Sequence, residues 1–173
     1  THCDPIGIYG SLKLAGEMMV KSYSHVFGLP YTIIRPSALY GERCVSRRVG
    51  QIFIESIISK LPIEINGSGE EKLDFTYIDD LIQGITKCII NPKAFNQIFN
   101  LTFGNSQPIN KLIEILKDEF GEFKINYKPK EKLTPSRGTL DISKAKKLLD
   151  FNPSYTLETG YRKYIKWYKT FGK

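Results

Sequence analysis

The chain has 173 residues, of which 41% are apolar and 12% aromatic, and it carries a formal net charge of +7. This length and composition allow one sizeable core, and they exclude a collagen-like, disordered or disulfide-dominated protein. Apolar runs are far shorter than the roughly 20 residues that cross a bilayer, so we expect a cytoplasmic protein with no membrane partner. The positive charge favours an anionic partner but does not distinguish a diphosphate from a nucleic acid or an acidic surface.

Cysteine and histidine are sparse and scattered. Cys3, Cys44 and Cys88 show no Cys-x-x-Cys spacing, and His2 and His25 are the only histidines. Widely spaced cysteines are typical of reduced thiols rather than bridges or zinc ligands. We therefore predict no metal site.

Helical and extended segments alternate along the sequence. Apolar residues three and four apart predict helices, and short β-branched or aromatic runs predict strands. In chain order these are a helix over 9–27, a strand over 31–35, a helix over 48–60, strands over 63–65 and 75–78, a helix over 79–90, a strand over 97–101, a helix over 108–120, a strand over 123–127, and helices over 141–149 and 157–171. Such alternation is typical of an α/β protein with a parallel sheet.

Two features of these elements carry further predictions. Asp79, at a strand-to-helix junction, is predicted to cap the helix that follows; with Asp80 it also resembles a carboxylate pair, for which capping is the simpler explanation. The last helix carries a stripe that we expect to face the core, formed by Tyr161, Tyr164, Ile165 and Tyr168.

Tyr9 and Lys13 lie one turn apart at the start of the first predicted helix, so their side chains share a face. Lowering a phenol pKa from about 10 to about 7 requires about 4 kcal/mol of preference for the phenolate, and a nearby ammonium supplies part of it. A tyrosinate of this kind removes a hydroxyl proton while hydride leaves the same carbon. The spacing alone is weak, because about one such pair is expected by chance in a chain with 10 tyrosines.

Five motifs follow one another in order along the chain. Residues 5–17 contain Pro5, Tyr9, Lys13 and Glu17 at intervals of four, and residues 34–41 read Ile-Arg-Pro-Ser-Ala-Leu-Tyr-Gly. The other three are a Gly-x-Gly turn at 67–69 with Asp-Phe-Thr-Tyr-Ile-Asp-Asp at 74–80, Phe-Asn-Leu at 99–101, and Leu-Asp-Ile-Ser-Lys-Ala at 140–145 with Phe-Asn-Pro at 151–153. In this order they resemble the extended short-chain dehydrogenase/reductases, and within them the NAD-dependent epimerase/dehydratase family that acts on nucleotide sugars.

The resemblance spans essentially the whole chain and implies the C-terminal part of a Rossmann-like parallel sheet with a smaller α/β substrate-binding subdomain. Residues 1–36 and 75–103 would form the sheet, and residues 37–74 and 104–173 would bind the nucleotide sugar. The N-terminal βαβ units that hold NAD or NADP, with their Gly-x-x-Gly-x-x-Gly turn, are missing from the sequence. We therefore interpret the chain as the C-terminal half of a longer enzyme and expect it to be inactive alone.

The same resemblance implies roles for individual residues. Tyr9 would be the catalytic base, and Lys13 would support it and hold the cofactor ribose. Arg35 and Pro36 would lie beside the nicotinamide, in agreement with the rule that ligands bind beyond the carboxyl ends of parallel strands. The loop that follows, including Ser37, would open the sugar-nucleotide pocket.

Arginine suits a diphosphate because a guanidinium donates two parallel hydrogen bonds. Arg137 occupies a region where relatives often carry a phosphate-binding arginine. Arg47 and Arg48 lie at the predicted start of the second helix, a favourable place for an anion. An ordinary surface role is the alternative for each of the three.

Two positions depart from the family pattern. The loop asparagine that relatives use near the substrate is Ala38, and the arginine expected before Asp74 is Leu73, with Lys72 beside it. We predict that Ser37, Lys72 or the two adjacent arginines compensate as substrate contacts. The family's Ser/Thr, and the acidic pair of its dehydratases, would lie in the missing part.

Several functions stay open at this point. Our leading hypothesis is 4-epimerisation of a nucleoside-diphosphate sugar through a transient ketone. The alternatives are a nucleotide-sugar dehydratase or reductase, or a non-catalytic nucleotide-binding relative. A nucleic-acid-binding module rests on charge alone, and we expect no such partner. Family resemblance also implies a homodimer formed through the helix Tyr9–Phe27.

Overall fold

The structure, a computed structural model, describes Pro5 and residues 7–130 and 137–172. Cys3 and His2 lie outside the described residues, as do residues 131–136 before Arg137.

Helices and short strands alternate along the described chain. The helices are α1 (Ile8–Phe27), α2 (Val49–Ile58), α3 (Ile78–Ile90), α4 (Ile109–Phe120), α5 (Ser143–Leu149) and α6 (Leu157–Phe171), with a 3-10 turn at Pro92–Ala94. The strands are β1 (Thr32–Arg35), β2 (Leu39–Tyr40), β3 (Ile63–Asn66), β4 (Lys72–Leu73), β5 (Thr76–Tyr77), β6 (Gln97–Asn100), β7 (Gln107–Pro108) and β8 (Ile125–Lys128).

The strands form four pairs, three of them parallel. β1 pairs with β6, β2 with β5 and β3 with β8 in parallel, whereas β4 and β7 are antiparallel. In the first pair Arg35 lies opposite Asn100, so both strands end at the same edge. The predicted α/β fold with parallel strands is confirmed.

Local patterns located most elements to within a few residues, with informative differences. The strands β2, β4 and β7 were not predicted, because two residues are too few for a periodic signal and the pairing partner supplies the rest. The prediction that Asp79 caps the third helix is wrong. α3 begins at Ile78 after Tyr77, no side chain caps it, and Asp79 instead pairs with Lys163 at 2.8 Å.

Two hydrophobic clusters hold these elements together. The larger joins α2, β3, α4 and α6, and the smaller joins α3, β6 and α5. Tyr161, Tyr164 and Ile165 are at most 1% exposed and Tyr168 packs against the larger cluster, so the predicted stripe of α6 does face the core. Burying a large apolar side chain contributes about 1.5–3 kcal/mol, so α6 is a principal source of stability.

Helix α1 is the exception to this burial. It ends at Gly28, whose left-handed φ of 67° lets its backbone N–H donate to the Ser24 carbonyl oxygen. None of its residues is buried, and Leu12, Met19 and Val26 are 67%, 68% and 70% exposed. The apolar stripe that predicts this helix is therefore not covered by any other described part of the chain.

Gly160, in the first turns of α6, allows the closest approach to the aromatic core. A Cβ atom there would lie 2.3 Å from Tyr40 Oη and 3.2 Å from Tyr77 Cγ, and both rings are buried. We expect Gly160→Ala to lower the free energy of unfolding by about 1–3 kcal/mol, because the buried rings have little room to move. Urea denaturation followed by circular dichroism measures the change.

Gly16→Ala is the matched control, since a Cβ on Gly16 in α1 meets nothing within 4 Å. Replacing this helical glycine by alanine should leave the free energy of unfolding unchanged or raise it by up to about 1 kcal/mol. A Gly160→Ala protein that unfolds at the wild-type urea concentration would contradict the packing described.

Candidate functional site

The first turn of α1 presents Tyr9 and Lys13 to solvent at the edge where β1 ends. The Tyr9 side chain is 76% exposed, and Lys13 Nζ lies 5.4 Å from the centroid of the Tyr9 ring. The sequence prediction that the two side chains share a face of one helix is met in the fold. The ammonium therefore lies over the face of the phenol ring, within the range of a cation–π contact.

A cavity of about 560 Å³ lies between α1 and β1, and we call it the helix cavity. Its described lining comes from the start of α1 and the end of β1: Pro5, Tyr9, Gly10, Lys13, Leu14, Glu17, Ile33, Ile34, Arg35 and Pro36. Both predicted catalytic residues and both predicted cofactor contacts therefore border one space.

The Arg35 side chain borders this cavity and is bound to a carboxylate. Its Nε and Nη2 atoms donate to the two carboxylate oxygens of Glu17, each at 2.6 Å. These hydrogen bonds hold the pKa of the Glu17 carboxyl below its ordinary value. Because Glu17 is on α1 and Arg35 ends β1, the pair fastens the helix to the strand.

A second cavity, of about 590 Å³, adjoins the first, and we call it the arginine cavity. Tyr9 and Pro36 border both spaces. The rest of its described lining is Ser37, Ala38, Leu39, Tyr40, Arg48, Val49, Gly50, Leu73, Phe75, Leu112, Arg137 and Tyr161. Among these described residues two are cationic and none is acidic, so the cavity favours an anion.

The two adjacent arginines have different surroundings. Arg47 Nη2 lies 2.6 Å from the Glu55 carboxylate and its Nε donates to the same oxygen at 2.8 Å, whereas Arg48 borders the arginine cavity. Within the described part of the chain, neither Arg48 nor Arg137 has an ion-pair partner. Of the three predicted phosphate contacts, two are thus brought to one cavity and Arg47 is engaged elsewhere.

A third space, the strand cavity of about 650 Å³, continues from the arginine cavity past Val49, Leu73 and Arg137. Lys72, predicted as a substrate contact, lines it together with Lys130 and three glutamates. The three cavities therefore lie in series.

Ala38, the residue that stands at the family's asparagine position, adopts a left-handed backbone with φ of 37°. Asparagine tolerates this region far better than alanine, which pays about 1–2 kcal/mol for it. Its carbonyl oxygen accepts a hydrogen bond from Thr76 N at 3.3 Å, which ties the loop to β5. Ala38 thus holds this backbone conformation without a side chain that can hydrogen-bond.

Two buried carboxylates tie distant segments together: Asp74, which had no role in the sequence analysis, and Asp80, which was assigned with Asp79 to helix capping. Asp74 is fully buried; its Oδ2 accepts from the Thr102 hydroxyl at 2.9 Å and from Leu140 N at 3.0 Å, and its Oδ1 accepts from Gly104 N at 3.0 Å. Asp80 accepts from the backbone N–H groups of Ser154 and Tyr155 and does not cap α3, so the capping prediction is wrong for Asp80 as well. A motif aspartate between apolar neighbours was the available signal for Asp74, because a buried carboxylate needs several donors.

The loop 41–48 that leads to Arg48 is anchored at its start. The buried ring of Tyr77 carries a hydroxyl that donates to the Glu42 carboxylate at 2.6 Å, and Lys163 Nζ lies 4.9 Å from the ring centroid. Burial, followed by the hydrogen bond to Glu42, raises the pKa of Tyr77. Tyr77 therefore stays a neutral donor and fixes the loop.

Over the part of the chain that the structure describes, two other kinds of site are not found. No helix there is long and apolar enough to span a membrane, and no three acidic, histidine or cysteine side chains are grouped to hold a metal ion.

Known proteins are similar to this chain in sequence and in fold. The model of the NAD dependent epimerase/dehydratase family matches residues 1–102. A UDP-glucuronate 4-epimerase of Thermodesulfobacterium geofontis is 35% identical over 167 residues, which are 95% of this chain and 51% of that protein. The chain therefore belongs to the NAD dependent epimerase/dehydratase family, and it spans about half the length of the curated relatives it matches.

Solved structures agree with the fold. A UDP-glucuronic acid 4-epimerase from Bacillus cereus, in complex with UDP-glucuronic acid and NAD, superposes with a TM-score of 0.91 at 28% identity, over 97% of this chain and 54% of that one. A dTDP-glucose 4,6-dehydratase from Streptomyces venezuelae gives the same TM-score at 20% identity, over 98% and 53%. The fold is thus common to epimerases and a dehydratase.

The residues at the helix cavity fit one end of the cofactor that this family uses. An exposed phenol and an ammonium border a space of about 560 Å³ at the carboxyl end of a parallel strand. A glycine-rich turn for the pyrophosphate is not found in the sequence. Tyr9, Lys13, Arg35 and Pro36 all border that space.

Asp74 offers a test of how the site is supported. An amide nitrogen cannot accept a hydrogen bond, so Asp74→Asn leaves at least one of its three donors unsatisfied. We expect the free energy of unfolding to fall by about 1–3 kcal/mol, measured by urea denaturation.

Asp79→Asn is the control, because Asp79 is exposed and makes one surface ion pair with Lys163. That change should cost less than about 1 kcal/mol. Equal losses in the free energy of unfolding for Asp74→Asn and Asp79→Asn would show that the hydrogen bonds of Asp74 do not hold these segments together.

Proposed function

We propose that the chain is the C-terminal half of a UDP-sugar 4-epimerase, in which it binds the nucleotide sugar and supplies the base. One observation carries this proposal: Tyr9 and two arginines without ion-pair partners among the described residues, Arg48 and Arg137, border the same cavity. A nucleotide sugar has a hydroxyl for Tyr9 to deprotonate at its sugar end and a diphosphate for the two arginines to bind further along the molecule.

The order of the three cavities supports the same ligand. The helix cavity has Lys13 and Tyr9, the arginine cavity has the guanidinium groups, and the strand cavity lies beyond Arg137. A UDP-sugar laid along them has its sugar at Tyr9, its diphosphate between Arg48 and Arg137, and its uracil in the strand cavity. The Bacillus cereus relative was solved with UDP-glucuronic acid and a Thermotoga maritima relative with UDP-glucose, which favours uridine as the nucleoside.

The proposed chemistry uses the two side chains of α1. Tyr9, as phenolate, takes the proton of the sugar 4-hydroxyl, and the Lys13 ammonium stabilises the phenolate charge. Bound NAD supplies the acceptor for the hydride that leaves C4. Pro36 and Ser37 border the space where the sugar would lie.

We also propose a division of the chain into two parts and a homodimer. Residues 1–36 and 75–103 are assigned to the sheet and residues 37–74 and 104–173 to the nucleotide sugar, with α5 joining the two by packing on α3 and β6. Leu12, Met19 and Val26 on α1 are exposed, which supports a homodimer through that helix. A dehydratase is the alternative, since the solved dehydratase shares the fold.

Calorimetric titration of the chain with UDP-glucose tests the binding part. We expect Arg48→Ala and Arg137→Ala each to weaken binding about tenfold, because each loses a charge-assisted hydrogen bond to phosphate. Arg47→Ala is the matched control and should change the affinity less than about twofold, since Glu55 already engages that guanidinium. Equal losses for all three, or salt-sensitive binding of a short DNA duplex in place of UDP-glucose, would contradict the proposal.

Turnover of a full-length protein that contains this chain tests the chemistry. Tyr9→Phe should lower kcat by about 10²–10⁴ while the Kd for UDP-glucose stays within about twofold, because only the proton-transfer group is removed. The interconversion of UDP-glucose and UDP-galactose gives kcat, and calorimetry gives Kd. A Tyr9→Phe enzyme of wild-type kcat would exclude Tyr9 as the base.

A further inference from the structure

The hydroxyl of Tyr161 reaches from α6 to the start of α2, close to one of the two arginines that border the arginine cavity. Tyr161 is buried, and its Oη atom donates to the Gly50 carbonyl oxygen at 2.6 Å. Gly50 is the second residue of α2, and Arg48 is the residue immediately before this helix. The hydrogen bond therefore lies two residues from Arg48.

The backbone of Arg48 belongs to the same first turn. Its carbonyl oxygen accepts a hydrogen bond from Ile52 N at 2.9 Å. Among the described residues, no side chain caps the helix at Arg48. An uncapped first turn frays readily, because several of its backbone groups lack partners. The bond from Tyr161 thus restrains a turn that the helix alone holds weakly.

Gly50 lets the Tyr161 ring lie directly against α2. A Cβ atom at position 50 would lie 3.0 Å from Tyr161 Cε2 and 3.3 Å from its Oη, closer than ordinary van der Waals contact. Both residues line the arginine cavity. The contact therefore locates part of the cavity wall as well as the turn that carries Arg48.

The Tyr161 hydroxyl is not itself suited to bind a diphosphate. Its one hydrogen is donated to Gly50, and the ionised oxygens of a diphosphate accept hydrogen bonds but do not donate them. Burial raises the pKa of Tyr161, so the phenol stays protonated and keeps this bond. An effect of the hydroxyl on a bound diphosphate therefore passes through the backbone of α2.

We infer that Tyr161 is a positioning residue, which fixes the first turn of α2 and thereby directs Arg48 toward the diphosphate. This inference rests on the proposed function, in which Arg48 and Arg137 hold that group. Arg137 lies before α5 and outside α2, so of the two arginines only Arg48 is subject to this restraint.

Calorimetric titration of the whole 173-residue chain with UDP-glucose tests this role through a double-mutant cycle. We expect Tyr161→Phe to weaken binding about threefold, because the Arg48 guanidinium remains and only its placement is relaxed. In the Arg137→Ala chain the same change should again weaken binding about threefold. In the Arg48→Ala chain it should weaken binding less than about 1.5-fold, because no guanidinium remains to be placed.

Tyr168 supplies a matched control on the same helix. Its hydroxyl also donates to α2, but to the carboxylate of Glu55, further along that helix, at 2.7 Å. Tyr168→Phe should therefore change the affinity less than about 1.5-fold, since the first turn of α2 stays fastened. Circular dichroism checks that each variant folds. Tyr161→Met, which also lacks the hydroxyl, replaces Tyr161→Phe in the cycle if the latter does not fold.

The role of Tyr161 and the proposed function fail on different results. Unchanged affinity in Tyr161→Phe, no loss in the Arg137→Ala chain, an equal loss in the Arg48→Ala chain, or an equal loss in Tyr168→Phe would overturn the role of Tyr161. The two arginines would then remain the proposed diphosphate contacts. Wild-type affinity in Arg48→Ala would overturn both proposals, because Tyr161 would have no contact to position.

Discussion

The Asp74 carboxylate, buried between β4 and β5, accepts hydrogen bonds from residues that lie 28, 30 and 66 positions further along the chain. Those donors bring the segment after β6 and the segment after Arg137 to one point. Leu73 and Phe75, on either side of Asp74, line the arginine cavity, and so does Arg137, three residues before the donor Leu140. A buried charge is costly unless its acceptors are satisfied, so the fold that satisfies Asp74 also fixes the walls of the cavity.

Among the described residues, three of the six arginines contact carboxylates and three have no ion-pair partner, and two of these three border the arginine cavity. Arg162 contacts three carboxylates, Arg47 contacts Glu55, and Arg35 contacts Glu17. Arg48 and Arg137 have no such partner within the described residues, and both border the arginine cavity. A guanidinium kept without a carboxylate beside an apolar wall is available to a ligand, so this division indicates a diphosphate more directly than the net charge does.

Sequence patterns predicted the helices and the longer strands because these depend on local periodicity. They also indicated Tyr9, Lys13 and Arg137 as site residues, and the structure brings Tyr9 and Arg137 to one cavity. They did not distinguish Arg48 from Arg47, because that difference depends on Glu55, which lies eight residues after Arg47. The junction at Asp74 was missed for a similar reason: its donors are distant in sequence, and no local signal reports which backbone amides a buried carboxylate will meet.

The claim that a UDP-sugar lies along the cavities is tested most directly by a two-dimensional ¹⁵N NMR titration of the chain with UDP-glucose. The account predicts saturable shifts of the backbone amides of Ser37, Gly50 and Leu73, which line the arginine cavity from three different segments. Shifts confined to the basic surface around Arg162 and Lys166 on α6, or no saturable shift at all, would contradict it.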